Sequence, residues 1–188
     1  MHVLDGKSLT LEHLEEIADA SAPVALAAAA AALVDRARGV VDRAATGDAA
    51  VYGVNTGFGA LADTAIPRDS LGALQLNLLR SHAAGIGEPL PVRAVRASMA
   101  LRANVLAKGF SGIRRSTLEL LLELLNRRVH PVVPSRGSVG ASGDLAPLAH
   151  LALVLIGEGF ASVDGGVVQP GGAALAATGL RPIVLASK

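Results

Sequence analysis

The sequence predicts a mainly α-helical domain, and three observations point to that fold class. Of the 188 residues, 51% are hydrophobic, with alanine, leucine and valine dominating. Only 2% are aromatic, so the expected core consists of small aliphatic side chains that suit close helix–helix packing. Apolar residues also recur every three or four positions in several long segments, the spacing of one face of a helix. The length suits one domain over residues 1–188.

Turn and capping signals predict the first elements. Residues 3–9 carry Asp5-Gly6 near their centre, which predicts a small N-terminal β-hairpin. Thr10 is a good N-cap for a short helix, because its hydroxyl can accept a hydrogen bond from a free backbone N–H group. A longer helix is expected next, and Gly47 ends it.

Residues 51–59 contain too many glycines for a helix and too little alternation for a strand, so we expect an ordered glycine-rich loop. In and just after this loop, Gly57, Gly59 and Ala62 match a G-x-G-x-x-A dinucleotide pattern. No predicted βαβ unit surrounds them and no acidic residue follows at the required spacing. A nucleotide site is therefore rejected.

Four further helices complete the predicted fold. Each is bounded by a proline, a glycine or a capping residue. Beyond Gly157 the chain is rich in glycine and weakly patterned, and no closing element is predicted there. The four helices are expected at about 67–82, about 92–108, about 113–128 and from Asp144 onward.

Composition and charge exclude several classes of protein. The chain has 17 Lys and Arg residues against 16 Asp and Glu and no basic cluster interleaved with aromatic residues, so no nucleic-acid partner is expected. The absence of cysteine excludes disulfides, thiolate metal sites and a cysteine nucleophile. Acidic residues near the N-terminus do not fit a signal peptide, and the apolar run at 24–34 is too short to span a bilayer. We expect a cytoplasmic protein.

The five histidines do not predict a metal site. His82 lies on the apolar face of a predicted helix, where a buried, hydrogen-bonded histidine is the more common interpretation. The other four lack the mutual spacing of metal ligands and are expected to be structural or exposed. They are His2, His13, His130 and His150.

Residues 136–148 are the segment around which the other motifs are arranged. It places small residues between two apolar segments and then changes abruptly into an apolar helical pattern. A glycine- and serine-rich stretch is more often a flexible linker, but a linker is normally polar on both sides. A nucleophile elbow is excluded because Asp144 stands where that motif needs glycine, and a P-loop is excluded because no Gly-Lys-Ser/Thr follows.

The remaining interpretation is a backbone cyclisation of Ala141, Ser142 and Gly143. In a tight bend, the unhindered nitrogen of Gly143 can reach the carbonyl carbon of Ala141 and close a five-membered ring. Loss of two waters, one of them carrying the Ser142 hydroxyl oxygen, leaves a methylidene group conjugated to the ring. A helix beginning at Asp144 would place its positive N-terminal end beside this electrophile.

Three long motifs, in order, resemble those of the aromatic amino acid lyases, the histidine and phenylalanine ammonia-lyase family. The resemblance covers essentially the whole chain and implies the N-terminal helical domain of the ammonia-lyase fold. It also implies that the Ala-Ser-Gly triad becomes 4-methylideneimidazol-5-one (MIO). The motifs are Tyr52-Gly-Val-Asn-Thr-Gly-Phe-Gly59, Asn77-Leu-Leu-Arg-Ser-His-Ala-Ala-Gly-Ile-Gly87 and Gly137-Ser-Val-Gly-Ala-Ser-Gly-Asp-Leu-Ala-Pro-Leu-Ala149.

The resemblance implies roles for single residues. Tyr52, otherwise a packing aromatic residue, corresponds to the tyrosine beside MIO that binds substrate and takes part in catalytic proton transfer. His82 occupies the position that reads the substrate side chain. The pair Ser81-His82 looks like that of histidine-selective members, whereas tyrosine- and phenylalanine-selective relatives usually carry His-Leu or Phe-Leu. Three further motif residues are expected to support the site: Asn55, Gly59 and Asp144.

The implied activity is elimination of ammonia from L-histidine to give trans-urocanate, in a cytoplasmic homotetramer. Two alternatives stay open: a lyase or aminomutase acting on tyrosine or phenylalanine, and a non-catalytic fragment that serves binding or assembly. The family completes its sites with later Asn, Tyr, Arg, Phe and Glu residues and a helical bundle that have no counterpart in these 188 residues. We therefore expect a truncated chain, inactive by itself, in which Ala141-Ser142-Gly143 is uncyclised or incompletely cyclised.

Overall fold

The computed structural model describes residues 1–187 and confirms a mainly helical fold. None of the helices in this range combines the length and hydrophobicity that crossing a bilayer requires. The α-helices are α1 Leu11–Ala18, α2 Ala28–Thr46, α3 Leu71–His82, α4 Val92–Ala107, α5 Arg115–Asn126, α6 Leu145–Leu155 and α7 Gly171–Ala177. The strands are β1 His2–Leu4, β2 Val24–Leu26, β3 Ile86–Pro89, β4 Val129–Pro131, β5 Pro134–Arg136, β6 Phe160–Val163 and β7 Gln169–Pro170.

The predicted N-terminal hairpin is wrong. β1 pairs in parallel with β2, with Leu4 opposite Leu26, and α1 separates the two strands in the sequence. Parallel strands need such a crossover, whereas a hairpin would make them antiparallel. Asp5 does form a turn, in which its carboxylate accepts hydrogen bonds from the N–H groups of Lys7 and Ser8. This turn leads the chain toward α1. Turn residues fix the local bend but leave the strand's partner open, so the Asp-Gly pair alone could not predict the pairing.

The predicted helices are largely confirmed. Thr10 caps α1, since its hydroxyl accepts a hydrogen bond from the His13 N–H at 3.2 Å. α2 starts only at Ala28, because the residues before it form β2. Gly47 ends α2 as expected. The four later helices appear as α3 to α6, with α3 preceded by a single 3₁₀ turn at Arg68–Ser70.

The core lies mainly between α1, α4 and α5. Ala100, Ala103 and Ala107 on α4 are fully buried, and their small side chains let neighbouring helices approach closely. α5 is hydrophobic on more than one face, as expected of a helix that is surrounded by protein. Its buried residues are Leu118, Leu120, Leu121, Leu122, Leu124 and Leu125.

A buried arginine on α4 connects three parts of the fold. Arg96 is only 3% exposed. Its guanidinium donates hydrogen bonds to the backbone oxygens of Ile17 at 2.8 Å and Leu125 at 3.0 Å. Both oxygens lie at the C-terminal ends of helices, where carbonyls lack a partner within the helix. Arg96 Nη1 also lies 3.3 Å from Nε2 of His130, so one side chain joins α1, α5 and β4.

The region after Gly157 forms a closing unit that the sequence did not predict. β4, β6 and β7 make a three-stranded antiparallel sheet. α7 packs on β6 and buries Ala174 and Leu175 completely. Strands this short and a helix this rich in glycine and alanine carry little periodic signal, which is why pattern analysis misses them.

Replacing Arg96 by leucine should lower the free energy of unfolding by about 3 kcal/mol or more, because two buried helix ends lose this donor. Arg93 is a matched control on the same helix, since it is exposed and pairs with Asp19 at 2.7 Å. Arg93→Leu should cost less than about 1 kcal/mol. Equilibrium unfolding in urea measures both losses. Equal losses in the two variants would contradict the role assigned to Arg96.

The buried His130 should make stability depend on pH. Burial lowers its pKa to about 4, and the Arg96 guanidinium acts in the same direction. An unfolded histidine titrates near 6.5, so between these values the unfolded chain binds a proton that the native chain does not. The His130 contribution is therefore complete above about pH 6.5 and declines by about 3 kcal/mol as the pH falls to about 4.

His130→Gln keeps an acceptor for Arg96 and removes the titrating ring. Urea unfolding of both proteins at about pH 7 and about pH 4.5 should therefore show a shallower loss of stability in the variant. Identical pH dependence in the two proteins would refute this assignment.

Candidate active site

Asn55 shapes the glycine-rich loop from inside. The residue is buried. Its Oδ1 accepts a hydrogen bond from the Val51 N–H at 2.7 Å, and its Nδ2 donates to the Ala49 carbonyl at 2.9 Å. Asn55 therefore fixes the backbone of the loop that carries Tyr52.

Tyr52 lies on the outside of this loop. The residue is 63% exposed, and its ring packs edge-on against Phe58 with 5.8 Å between the ring centroids and an interplanar angle of 74°. Gly53 follows with φ of 72°, a conformation that glycine adopts without strain. Within residues 1–187 the Tyr52 hydroxyl makes no hydrogen bond, so it is free to meet a ligand.

His82 ends α3, and its hydrogen bonds decide which ring nitrogen is available. Nδ1 lies 2.8 Å from the Leu78 carbonyl oxygen and 3.1 Å from Ser81 Oγ. A carbonyl can only accept, so Nδ1 carries a proton, and in the neutral ring Nε2 is left as an acceptor. Nε2 has no hydrogen-bond partner in the described part of the chain.

The Ala-Ser-Gly triad lies in a tight bend between β5 and α6. Gly140 precedes the triad with φ of 79°, and Gly143 ends it with φ of 68°. Both are left-handed conformations that favour glycine. Ala141 and Ser142 are exposed. Among residues 1–187, neither the Ala141 carbonyl nor the Gly143 N–H makes a hydrogen bond, so both groups that ring closure uses are free and the residues fit an MIO precursor.

α6 begins directly after this bend. Asp144 holds the N-cap position, and its side chain makes no capping hydrogen bond, so the first backbone N–H groups of the helix have no side-chain acceptor there. Leu145 is exposed, and the buried residues of α6 are Ala146, Ala149, Leu151, Val154 and Leu155. Packing against α3 and α5 selects this face, which the nearly uniform apolar sequence of α6 does not distinguish.

Two glycines bring the end of α3 against the bend. A Cβ on Gly137 would lie 2.8 Å from Gly85 Cα, so the two backbones are too close for a side chain. The Gly85 N–H donates to Nε2 of His150 on α6 at 3.0 Å. Burial lowers the pKa of His150, which favours the neutral ring that can accept this bond. His150, assigned from sequence only as structural or exposed, thus ties the second motif to α6.

One cavity of about 680 Å³ brings the three motifs together. Tyr52 and Gly59 reach it from the glycine-rich loop, His82 from the end of α3 and Asp144 from the start of α6. Its walls are largely apolar and include leucines from α3 to α6. The structure therefore gathers these four predicted site residues around one space.

The triad itself lies beside this cavity. Asp144, which follows it directly, lines the cavity, whereas Ala141 and Ser142 do not. Gly143 lines a second cavity of about 350 Å³ that also touches Asp144.

Sequence analysis missed two polar residues that line the large cavity, Arg102 on α4 and Thr117 on α5. Neither belongs to a motif, and only the packing of α4 and α5 brings them to the cavity. It also missed the pairing of Gly85 with Gly137. The glycines in two separate motifs were the available signal, because an obligatory glycine often marks a close backbone approach.

Comparisons with known proteins agree with this arrangement. The family model described as aromatic amino acid lyase matches residues 9–188. The chain belongs to this family. A histidine ammonia-lyase from Anaeromyxobacter dehalogenans is 57% identical over 192 residues, which cover 99% of this chain and 38% of that protein. Another from Gloeobacter violaceus is 58% identical over 186 residues, which cover 99% of this chain and 36% of that protein.

Solved structures of family members share the fold. A tyrosine aminomutase from Streptomyces globisporus matches 100% of this chain and 35% of its own, with a TM-score of 0.90 and 36% identity. A histidine ammonia-lyase from Trypanosoma cruzi matches 100% of this chain and 36% of its own, with a TM-score of 0.89 and 42% identity. The chain spans 38% and 36% of the lengths of the two curated relatives described above.

Gly137→Ala should displace the bend, because the new Cβ meets the Gly85 backbone and φ of 146° strains any side chain. Gly165→Ala is a matched control, since Gly165 has φ of 73° and open space around the Cβ position. We expect a loss of unfolding free energy of about 2–4 kcal/mol for Gly137→Ala and about 1 kcal/mol for Gly165→Ala.

Urea unfolding measures the two losses, and amide hydrogen exchange should show faster exchange at 83–87 and 137–144 only in Gly137→Ala. A Gly137→Ala variant no worse than the control, with unchanged exchange, would disprove the constraint.

Proposed function

We propose that the protein is an ammonia-lyase that converts L-histidine into trans-urocanate and ammonia. Residues 1–188 form the domain that carries the electrophile precursor. The observation that carries the proposal is the single cavity where Tyr52, His82 and Asp144 meet beside the Ala-Ser-Gly bend. The 57% and 58% identities to two histidine ammonia-lyases support the choice of substrate.

The cofactor in this proposal is MIO, formed autocatalytically from Ala141, Ser142 and Gly143. The unbonded Ala141 carbonyl and Gly143 N–H support this origin. MIO supplies an electrophile that makes the substrate amine easier to expel. The side chains of this chain supply substrate recognition and proton transfer.

His82 recognises the substrate side chain. Its free Nε2 accepts a hydrogen bond in the neutral ring, and the imidazole of histidine offers an N–H donor. Phenylalanine has no such donor, so it would bury Nε2 without a partner, which disfavours its binding. Ser81 stands 3.1 Å from Nδ1 and helps to hold the ring in this orientation.

Tyr52 is the candidate for proton transfer at the substrate. Its ring is held by Phe58 at the cavity wall, while its hydroxyl stays free among the described residues. The apolar leucines around the cavity lower the local dielectric, which strengthens electrostatic interactions between substrate and polar groups. Tyr52 is largely exposed, so further protein must cover it before water is excluded from the reaction.

The covering protein in this proposal is a homotetramer of the complete enzyme in the cytoplasm. Relatives that are more than twice as long as this chain support the need for additional residues. We accordingly expect the isolated 188-residue chain to be inactive and its triad to be uncyclised or incompletely cyclised.

A second candidate function is a lyase or aminomutase acting on tyrosine. The structural match to a tyrosine aminomutase, with a TM-score of 0.90, favours it. The identity of 36% in that match is well below the 57% and 58% shared with histidine ammonia-lyases. These identities, together with the hydrogen-bond acceptor that His82 offers, favour L-histidine as the substrate. Turnover of a panel of amino acids separates the two candidate functions.

The test is turnover of L-histidine, L-tyrosine and L-phenylalanine by the protein expressed from its complete reading frame. Urocanate should form from L-histidine, followed by its ultraviolet absorbance. Ser142→Ala should lower kcat by roughly 10³-fold or more, because the hydroxyl that leaves during ring formation is missing. The matched control Ser116→Ala, at an exposed position on α5, should keep full activity.

His82→Leu should reduce kcat/KM for L-histidine far more than for L-phenylalanine, because the lost acceptor matters only to the imidazole. Turnover of L-tyrosine alone would establish the second candidate. No turnover of any of the three amino acids would refute both catalytic assignments and leave a binding or assembly role.

A further inference from the structure

We propose that Ser138 is a positioning residue for formation of the MIO ring: its hydroxyl closes the bend in which Gly143 N approaches the Ala141 carbonyl carbon. The inference rests on the proposed function, because it assumes that the triad cyclises. It adds a residue outside the triad that prepares the backbone for that reaction.

The contact is direct. Ser138 Oγ donates a hydrogen bond to the Gly143 carbonyl oxygen at 2.7 Å. A Cβ placed on Gly143 would lie 2.5 Å from Ser138 Oγ, so the Ser138 hydroxyl sits where a side chain of residue 143 would be. The hydrogen bond therefore holds residue 143, and it can form only because that residue is glycine.

The bond spans a segment that has little else to hold its shape. Before it, β5 pairs with β3, with Arg136 opposite Ile86, and after it α6 begins at Leu145. Within residues 1–187, the Ser138–Gly143 bond is the only hydrogen bond that crosses the bend between these two rigid ends. Its loss would let the exposed tip adopt many conformations, few of which bring the reacting atoms together.

The reaction needs this geometry and no outside reagent. The Gly143 nitrogen forms a bond to the Ala141 carbonyl carbon, and its proton moves to the carbonyl oxygen. That oxygen leaves as water when a carbon–nitrogen double bond forms to Ser142 N, whose proton is lost. The second water takes the Ser142 Oγ and the Ser142 Cα proton, leaving the methylidene. Ser138 makes and breaks no covalent bond, so its effect is on the approach of Gly143 to Ala141.

Ring formation can be followed without any assay of enzymatic activity. The protein from its complete reading frame is produced in a short pulse, and intact mass is recorded over time. Each closed ring appears as a mass deficit of ~36 Da, the mass of two waters. Ser138→Ala should form the ring roughly fivefold to tenfold more slowly, the rate factor of one lost hydrogen bond.

Two controls separate positioning from general damage. Ser135→Ala removes an exposed hydroxyl from neighbouring β5 and should cyclise at the wild-type rate. Ser138→Thr keeps the hydroxyl at an exposed position and should cyclise at close to the wild-type rate. Far-ultraviolet circular dichroism, which should be unchanged, confirms that each variant is folded.

The outcomes distinguish the two proposals. A wild-type protein without any mass deficit overturns the proposed MIO function itself. A wild-type deficit together with equally fast ring formation in Ser138→Ala overturns the role of Ser138 alone. Equal slowing in Ser138→Ala and Ser135→Ala, or no rescue by threonine, also overturns it. Slow closure in Ser138→Ala only, with rescue by threonine, supports it.

Discussion

The site depends on the close approach of two backbones, at Gly85 and Gly137. A side chain at Gly137 would put a carbon 2.8 Å from Gly85 Cα. The segment after α3 and the start of the bend can therefore pack this closely only because residue 137 is glycine. His150 fixes the same junction by accepting the Gly85 N–H at 3.0 Å. This junction joins the segment that follows His82 to the start of the bend that leads to the Ala-Ser-Gly triad.

The framework behind this junction is rigid for a different reason. Arg96 replaces the missing helical partners of the carbonyls at the ends of α1 and α5, and His130 accepts a further bond from it. Removing such a buried cation takes a charged donor from these carbonyls and from His130, which is more costly than losing any single exposed ion pair. The small side chains of α4 add close helix packing around it. Neither Arg96 nor His130 lines the cavity, so this framework is distinct from the residues that surround the site.

The triad differs from the framework in being exposed and only lightly held. Its carbonyl and N–H groups are free in the described chain, and left-handed glycines shape its backbone. Freedom from hydrogen bonds leaves those groups available to react, while the bond from Ser138 limits the conformations that they sample. The neighbouring N-terminus of α6 places partial positive charge where an electrophile would gain from it. Reactivity and order are thus combined within eight residues, 137–144.

The sequence alone determined the helical class, most helix ends, the three motifs and the family, because these depend on local periodicity, capping residues and contiguous residue types. It did not determine the parallel pairing of β1 with β2 or the sheet and helix after Gly157, because short strands find their partners through packing. Only the tertiary structure placed Tyr52, His82 and Asp144 around one cavity and showed Asn55 as a buried support. It also disclosed the hydrogen bonds made by His150 and Ser138, since such side-chain contacts leave no periodic trace in the chain.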